Sequence, residues 1–160
     1  MRTIKRMAWT VGVLMLLLLA GCGSGASETE PLPEGMDAEL LLTRGQEITE
    51  LLMDGEYQSV YAQFRPDIQA KLTQEDIRSL VAPALEQAGE LETLEETEAF
   101  GSTEGESHGI ARLNYVFSER DVEFQVAFDP EMALIGLSVS SRSPGWSFSN
   151  LVDNLSGLFG

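Results

Sequence analysis

The sequence predicts an α+β domain in which N-terminal helices pack on a curved antiparallel sheet of about four strands. Three observations carry this expectation. Apolar residues recur at helical spacing over residues 36–88, and the period changes to two after Gly89. The segments of period two are joined by connections of a few residues, as in an antiparallel meander. At 160 residues the chain has room for one such domain with one modest core.

In the first helix Asp37 reads as the N-cap and Gly55 as the stop. Leu41, Gly45, Ile48 and Leu52 form one stripe, thickened by Leu40 and Leu51. Tyr57, Val60, Tyr61 and Phe64 then fall at i, i+3, i+4 and i+7, a short second helix that Pro66 ends. Ile68 and Leu72 mark another turn. Thr73 with Asp76 has the form of an N-cap box, opening a helix whose inner face is Ile77, Leu80, Val81, Ala84 and Ala88, with Gly89 as its end. Pro83 inside it removes the bond to the carbonyl of Ser79, which predicts a kink.

Residues 91–100 make a weak first strand, because their Glu and Thr content alternates poorly. A polar loop at 101–107 follows. Residues 110–117 alternate clearly, with Ala111, Leu113, Tyr115 and Phe117 inward and Arg112 and Asn114 outward. In residues 121–128 the inward set is Val122, Phe124, Val126 and Phe128. In residues 133–141 it is Ile135, Leu137 and Val139.

The N-terminus carries a different signal. Arg2, Lys5 and Arg6 precede an apolar run at 8–20 that includes Leu16, Leu17, Leu18 and Leu19, the pattern of a signal peptide. The run is short of the roughly 20 residues a membrane span needs. It closes in Leu19-Ala20-Gly21-Cys22, which resembles the lipobox of bacterial lipoproteins. That resemblance implies cleavage before Cys22, lipidation of its thiol, and a place on the extracytoplasmic face of a cell membrane, held by the lipid. Residues 1–21 are then the signal peptide, 22–35 a flexible tether with Pro31 and Pro33, 36–142 the folded domain, and 143–160 a separate C-terminal segment. In that last segment Phe148, Leu151, Val152, Leu155, Leu158 and Phe159 recur at helical spacing. It is suited to covering the open side of the sheet, to docking on a partner or to touching the membrane. With no Lys or Arg after Arg142, packing within the chain is the favoured reading.

The formal charge is −16, and it becomes more negative once Arg2, Lys5 and Arg6 are removed with a segment that holds no Asp or Glu. Such a surface repels phosphate backbones, so nucleic acid is excluded as a partner. Cys22 is the single cysteine, so no disulfide forms within the chain.

Two stretches resemble a bacterial domain family of unknown function in the nuclear transport factor 2-like superfamily. One is Leu52-Met53-Asp54-Gly55-Glu56-Tyr57 with Val60, Phe64, Leu72 and Thr73 downstream. The other is Val126-Ala127-Phe128-Asp129 followed by Ile135-Gly136-Leu137. Together they cover roughly residues 38–140. The resemblance implies a cone, in which a strongly bent sheet wraps the helices, with Tyr57, Tyr61, Phe64 and Tyr115 as candidate pocket-lining residues. Folds of this superfamily often pair through the open sheet face, which makes a homodimer one expectation.

Enzymes of the wider superfamily, isomerases and epoxide hydrolases, use carboxylates with Tyr or Arg inside the cone. The matching candidates are Tyr57, Tyr61, Tyr115, Arg112 and Asp129. Against that, Tyr57 and Tyr61 lie on an apolar helical stripe, where core packing is the plainer role, and Arg112 points to the outer sheet face. His108 is the single histidine and cannot build a zinc site alone. There is no Gly-x-Ser-x-Gly and no phosphate loop, and Glu90, Glu92, Glu95, Glu96 and Glu98 lack the pattern of a calcium loop. No catalytic set, metal or cofactor is expected. The leading expectation is a non-enzymatic, membrane-tethered module that binds a small apolar ligand or an envelope protein. The alternative is a small cone-fold enzyme of the isomerase or hydrolase type.

Overall fold

A computed structural model describes residues 29–142. Cys22, the signal peptide and the C-terminal segment 143–160 lie outside the described residues. Four helices are followed by four strands: α1 (Ala38–Met53), α2 (Tyr57–Tyr61), α3 (Pro66–Gln69), α4 (Gln74–Ala88), β1 (Leu91–Ser102), β2 (His108–Phe117), β3 (Asp121–Phe128) and β4 (Leu134–Arg142). The strands pair in chain order as an antiparallel open sheet. The helices lie on one face, α1 over β1, β2 and β3 and α4 over β3 and β4, which is the expected α+β arrangement.

Local chemistry starts the two long helices. Asp37 accepts the Leu40 N–H at 2.8 Å, as its reading as N-cap requires. At α4 the Thr73 hydroxyl accepts the Asp76 N–H at 3.2 Å, and the Asp76 carboxylate accepts the Thr73 N–H at 2.8 Å. Those bonds from Thr73 hold the Asp76 carboxyl below its usual range. Leu41, Ile48 and Leu52 of α1 are fully buried, each stabilising the fold by about 1.5–3 kcal/mol. Gly45 sits on the same stripe for a steric reason, because a Cβ there would lie 2.6 Å from Cβ of Ala111. Its missing side chain lets α1 approach β2 closely.

Several expectations shift. Leu40 and Leu80 are exposed, at 49% and 44%, because each lies at the margin of its stripe; Leu85 packs on the core from α4 instead. Pro66 does not merely stop α2. It opens α3 at the first helical position, where its missing N–H costs nothing. Pro83 lies on the exposed side of α4, which continues past it to Ala88.

In the sheet, β2 and β3 bury the inward sets expected of them. The poor alternation of β1 has a cause in its register. Glu92 and Glu95 fall at bulges, so Leu91 and Leu94 both come opposite inward residues of β2, Phe117 and Tyr115. A third irregularity corrects the reading of β4. Phe128 pairs with Leu134 while Ala127 pairs with Gly136, which leaves Ile135 as the extra residue. The inner set of β4 is therefore Leu134, Leu137 and Val139.

The order of the chain also begins before residue 36. Residues 29–35, expected to belong to a flexible tether, are laid against the sheet. The Gly101 N–H donates to the Glu30 carbonyl at 2.7 Å, the Thr103 hydroxyl donates to the Glu30 carboxylate at 3.1 Å, and Leu32 packs on the core. Gly101 makes this approach feasible, since a Cβ would sit 2.1 Å from the Pro31 carbonyl oxygen. On the opposite edge Phe64 bridges Leu134, and the Arg65 N–H donates to the Leu134 carbonyl at 2.9 Å.

Candidate functional site

The four aromatic residues expected to line a pocket go to separate places. Tyr115 points from β2 into the core, 4% exposed, with its ring edge-on to Phe124 at a centroid distance of 5.8 Å. Its hydroxyl lies 2.6 Å from Oγ1 of Thr49. Burial pushes the Tyr115 hydroxyl pKa up, and the bond to Thr49 offsets part of that rise. Phe64 is buried beside Leu134. Tyr61 is half-buried, and its hydroxyl donates to the Gln69 carbonyl at 3.2 Å, while the Gln69 amide donates back to the Tyr61 carbonyl at 3.2 Å. That reciprocal pair locks α2 to α3, a structural use of the hydroxyl.

Tyr57 lines a cleft. It faces Gln74, Glu75, Arg78 and Glu86 of α4 across an open groove of about 370 Å³. The lining is polar and open to water. Ligand pockets are usually enclosed and mostly apolar, so this groove is poorly shaped to retain a small apolar molecule.

The residues weighed for catalysis are also dispersed. Arg112 lies on the outer sheet face, bonded to Glu98 at 2.5 Å, with its guanidinium 4.6 Å from the Phe100 ring centroid. Asp129 is buried at the start of the β3–β4 connection, where its carboxylate accepts the Ala133 N–H at 2.8 Å. His108 is half-buried, its Nδ1 2.7 Å from the Glu106 carbonyl oxygen.

What sequence reasoning missed is the cluster that Asp129 belongs to. Arg65 stands between α2 and α3 and meets three carboxylates: Asp67 at 2.7 Å, Glu106 at 2.6 Å and Asp129 at 3.3 Å. It ties α3 to the β1–β2 and β3–β4 connections at one end of the sheet. The hydrogen bonds of Asp67, then those of Glu106, raise the guanidinium further above its ordinary value. Reciprocally, Arg65 lowers Asp67 to about 2 and holds Glu106 below its usual range. Three carboxylates spent on one guanidinium are poor metal ligands, and no group of metal-ligating side chains occurs among the described residues. The one local signal is the Arg65-Pro66-Asp67 spacing, which brings that first carboxylate close.

No helix among the described residues is long and apolar enough to cross a membrane. A family model described as "Protein of unknown function (DUF3887)" matches residues 45–137, from within α1 into β4. The NMR structure of a protein from Ruminococcus gnavus ATCC 29149 is similar, with a TM-score of 0.59 and 26% identity over 69% of this chain and 96% of that chain. No curated protein matches.

Proposed function

Because the chain belongs to the family described as a protein of unknown function (DUF3887), its role must be argued from its own residues, and we propose that it is a lipid-anchored extracytoplasmic module that engages an envelope protein without catalysing a reaction. The observation that carries this reading is the apolar packing between sheet and helices. Phe124, Phe128, Leu41, Ile48, Leu52, Ile77 and Leu113 are all buried there. The candidate pocket residue Tyr115 is committed to Thr49 in that same packing. Large side chains packed between sheet and helices favour recognition by surface over enclosure of a ligand.

The anchoring part rests on the basic start, the apolar run and Cys22. The cone-like fold of the nuclear transport factor 2-like superfamily is part of the same reading, supported by bulges in β1 and β4, which bend the strands that carry them.

Two measurements test the proposal. In the native cell the N-terminal peptide of the mature protein carries a diacylglyceryl group on Cys22 by mass spectrometry, and Cys22→Ser releases the protein from the membrane fraction. Titration with an environment-sensitive apolar dye gives no saturable binding to the folded protein. A saturable site that Tyr115→Trp blocks would return the ligand-binding version.

A further inference from the structure

The segment that joins the domain to its anchor is seated on the fold, and its seat is at one end of the sheet. Glu30 bridges Gly101 through the backbone and receives the Thr103 hydroxyl, while Met36 packs against Gly109. Gly101 and Gly109 are register partners at the end of β1 and β2 where the connection 103–107 emerges. The connection 129–133 and the Arg65 cluster lie at the same end, because Gly109 pairs with Phe128 and Arg65 reaches Glu106 and Asp129. The opposite end carries the turn 118–120 and the end of α4, tied by the Glu119 N–H donating to the Ala88 carbonyl at 2.9 Å.

We propose that residues 29–35 act as a strap that biases the orientation of the domain on the membrane, keeping the 103–107 and 129–133 connections nearer the bilayer on average than the 118–120 end. The inference rests on the reading that Cys22 is lipidated. Seven residues separate Cys22 from Glu30, eight Cα–Cα steps, and a chain of that length spans at most about 28 Å. The strap end therefore stays within that distance of the lipidated residue, whereas β2 carries the far end about 27 Å further along the sheet, at about 3.4 Å per residue, and so further from the anchor on average. Glu104, Glu106 and Glu131 give the near end exposed carboxylates, which an anionic leaflet repels. The tether works against this repulsion, so the anchor and not attraction to lipid keeps this end near the membrane.

The test uses the full chain, processed in its host and reconstituted in vesicles containing an acceptor-labelled headgroup. Glu104→Cys and Glu119→Cys are each labelled with a donor; lipidation occupies the Cys22 thiol, so the introduced thiol is the one that reacts. The expected result is energy transfer from position 104 roughly twofold or more that from 119, given the strand length between them. In a Gly101→Ala background, where the added Cβ displaces the strap, that ratio falls toward one. Transfer from 119 equal to or above that from 104, with Cys22 lipidated, overturns the orientation. A ratio that Gly101→Ala leaves intact overturns the role of the strap. Label entering Cys22 itself, with no lipid in the peptide mass, overturns the anchoring reading and the orientation with it.

Discussion

The hydroxyls of Thr49 and Tyr115, 66 residues apart in sequence and 2.6 Å apart in space, form a buried polar pair inside an otherwise apolar core. Its direction follows from hydrogen counting. Thr49 Oγ1 also donates to the Gln46 carbonyl at 2.9 Å, which uses its one hydrogen, so Tyr115 donates and Thr49 accepts.

The two halves of this pair are therefore unequal. Thr49→Val leaves the Tyr115 O–H buried without an acceptor and costs about 1–3 kcal/mol, whereas Tyr115→Phe leaves the Thr49 donor satisfied and costs about 1 kcal/mol. Urea unfolding midpoints of the two variants check the order, and the reverse order would contradict the assigned direction.

The same residue gives a pH dependence at the alkaline side. The Tyr115 proton is held more tightly in the folded chain than in the unfolded one, because burial raises its pKa above 10.0. Its contribution is complete below that value and is lost as pH rises beyond it. Stability measured from pH 9 upward falls more steeply for the native sequence than for Tyr115→Phe.

At the acid side the Arg65 cluster works in the opposite sense. Arg65 lowers Asp67 from 3.8 to about 2 and also lowers Glu106, so the stabilisation is present above the unfolded values and disappears as pH falls from about 4 toward 2. Arg65→Met flattens the pH profile in that window. High salt weakens the effect, since the Asp67 and Glu106 partners are exposed.

Gly45 sets local propensity against packing. Alanine is the better helix former by about 1 kcal/mol, yet its Cβ would lie 2.6 Å from Cβ of Ala111 and 3.2 Å from Leu113. Overpacking wins, and Gly45→Ala destabilises by about 1–3 kcal/mol. Adding Ala111→Gly recovers part of the loss, and a double-mutant cycle by thermal unfolding measures how much. Simple additivity would mean that the contact is not the cause.

The elements were legible in the sequence where one side of a regular element meets the core. In β2 every second residue is buried, and β3 departs from that pattern only at the buried Glu123, so alternation identifies both. It fails in β1 and β4 because bulges at Glu92, Glu95 and Ile135 break the period, and the apolar character of Ile135 gives no hint of its displacement. Leu40 and Leu80 show the converse, apolar residues on a helix whose neighbouring elements do not reach them. The candidate site was less legible. Arg65 reaches Glu106 across 41 residues and Asp129 across 64, and Tyr115 reaches Thr49 across 66; local periodicity carries no signal at such separations. Residues 29–35 read as a linker by composition, and the steric reason for their seat, the bare Cα of Gly101, lies about 70 residues away.

Among the described residues each lateral margin of the sheet carries one short bridge, Glu30 on β1 and Phe64 on β4. Among the described residues a four-stranded open sheet leaves two margins whose backbone groups are largely unpaired, which invite a strand of another molecule to add on. The proposed anchoring would confine molecules to a plane, where encounters between margins are frequent. A bridge that claims the Gly101 N–H on one side, and the Leu134 carbonyl on the other, interrupts each template near the same end of the sheet. The acidic side chains along β1, Glu92, Glu95, Glu96 and Glu98, bring like charges together in any copy that approaches alongside. These features guard the described margins against strand addition, a protection that would matter most under the crowding that the proposed anchoring implies.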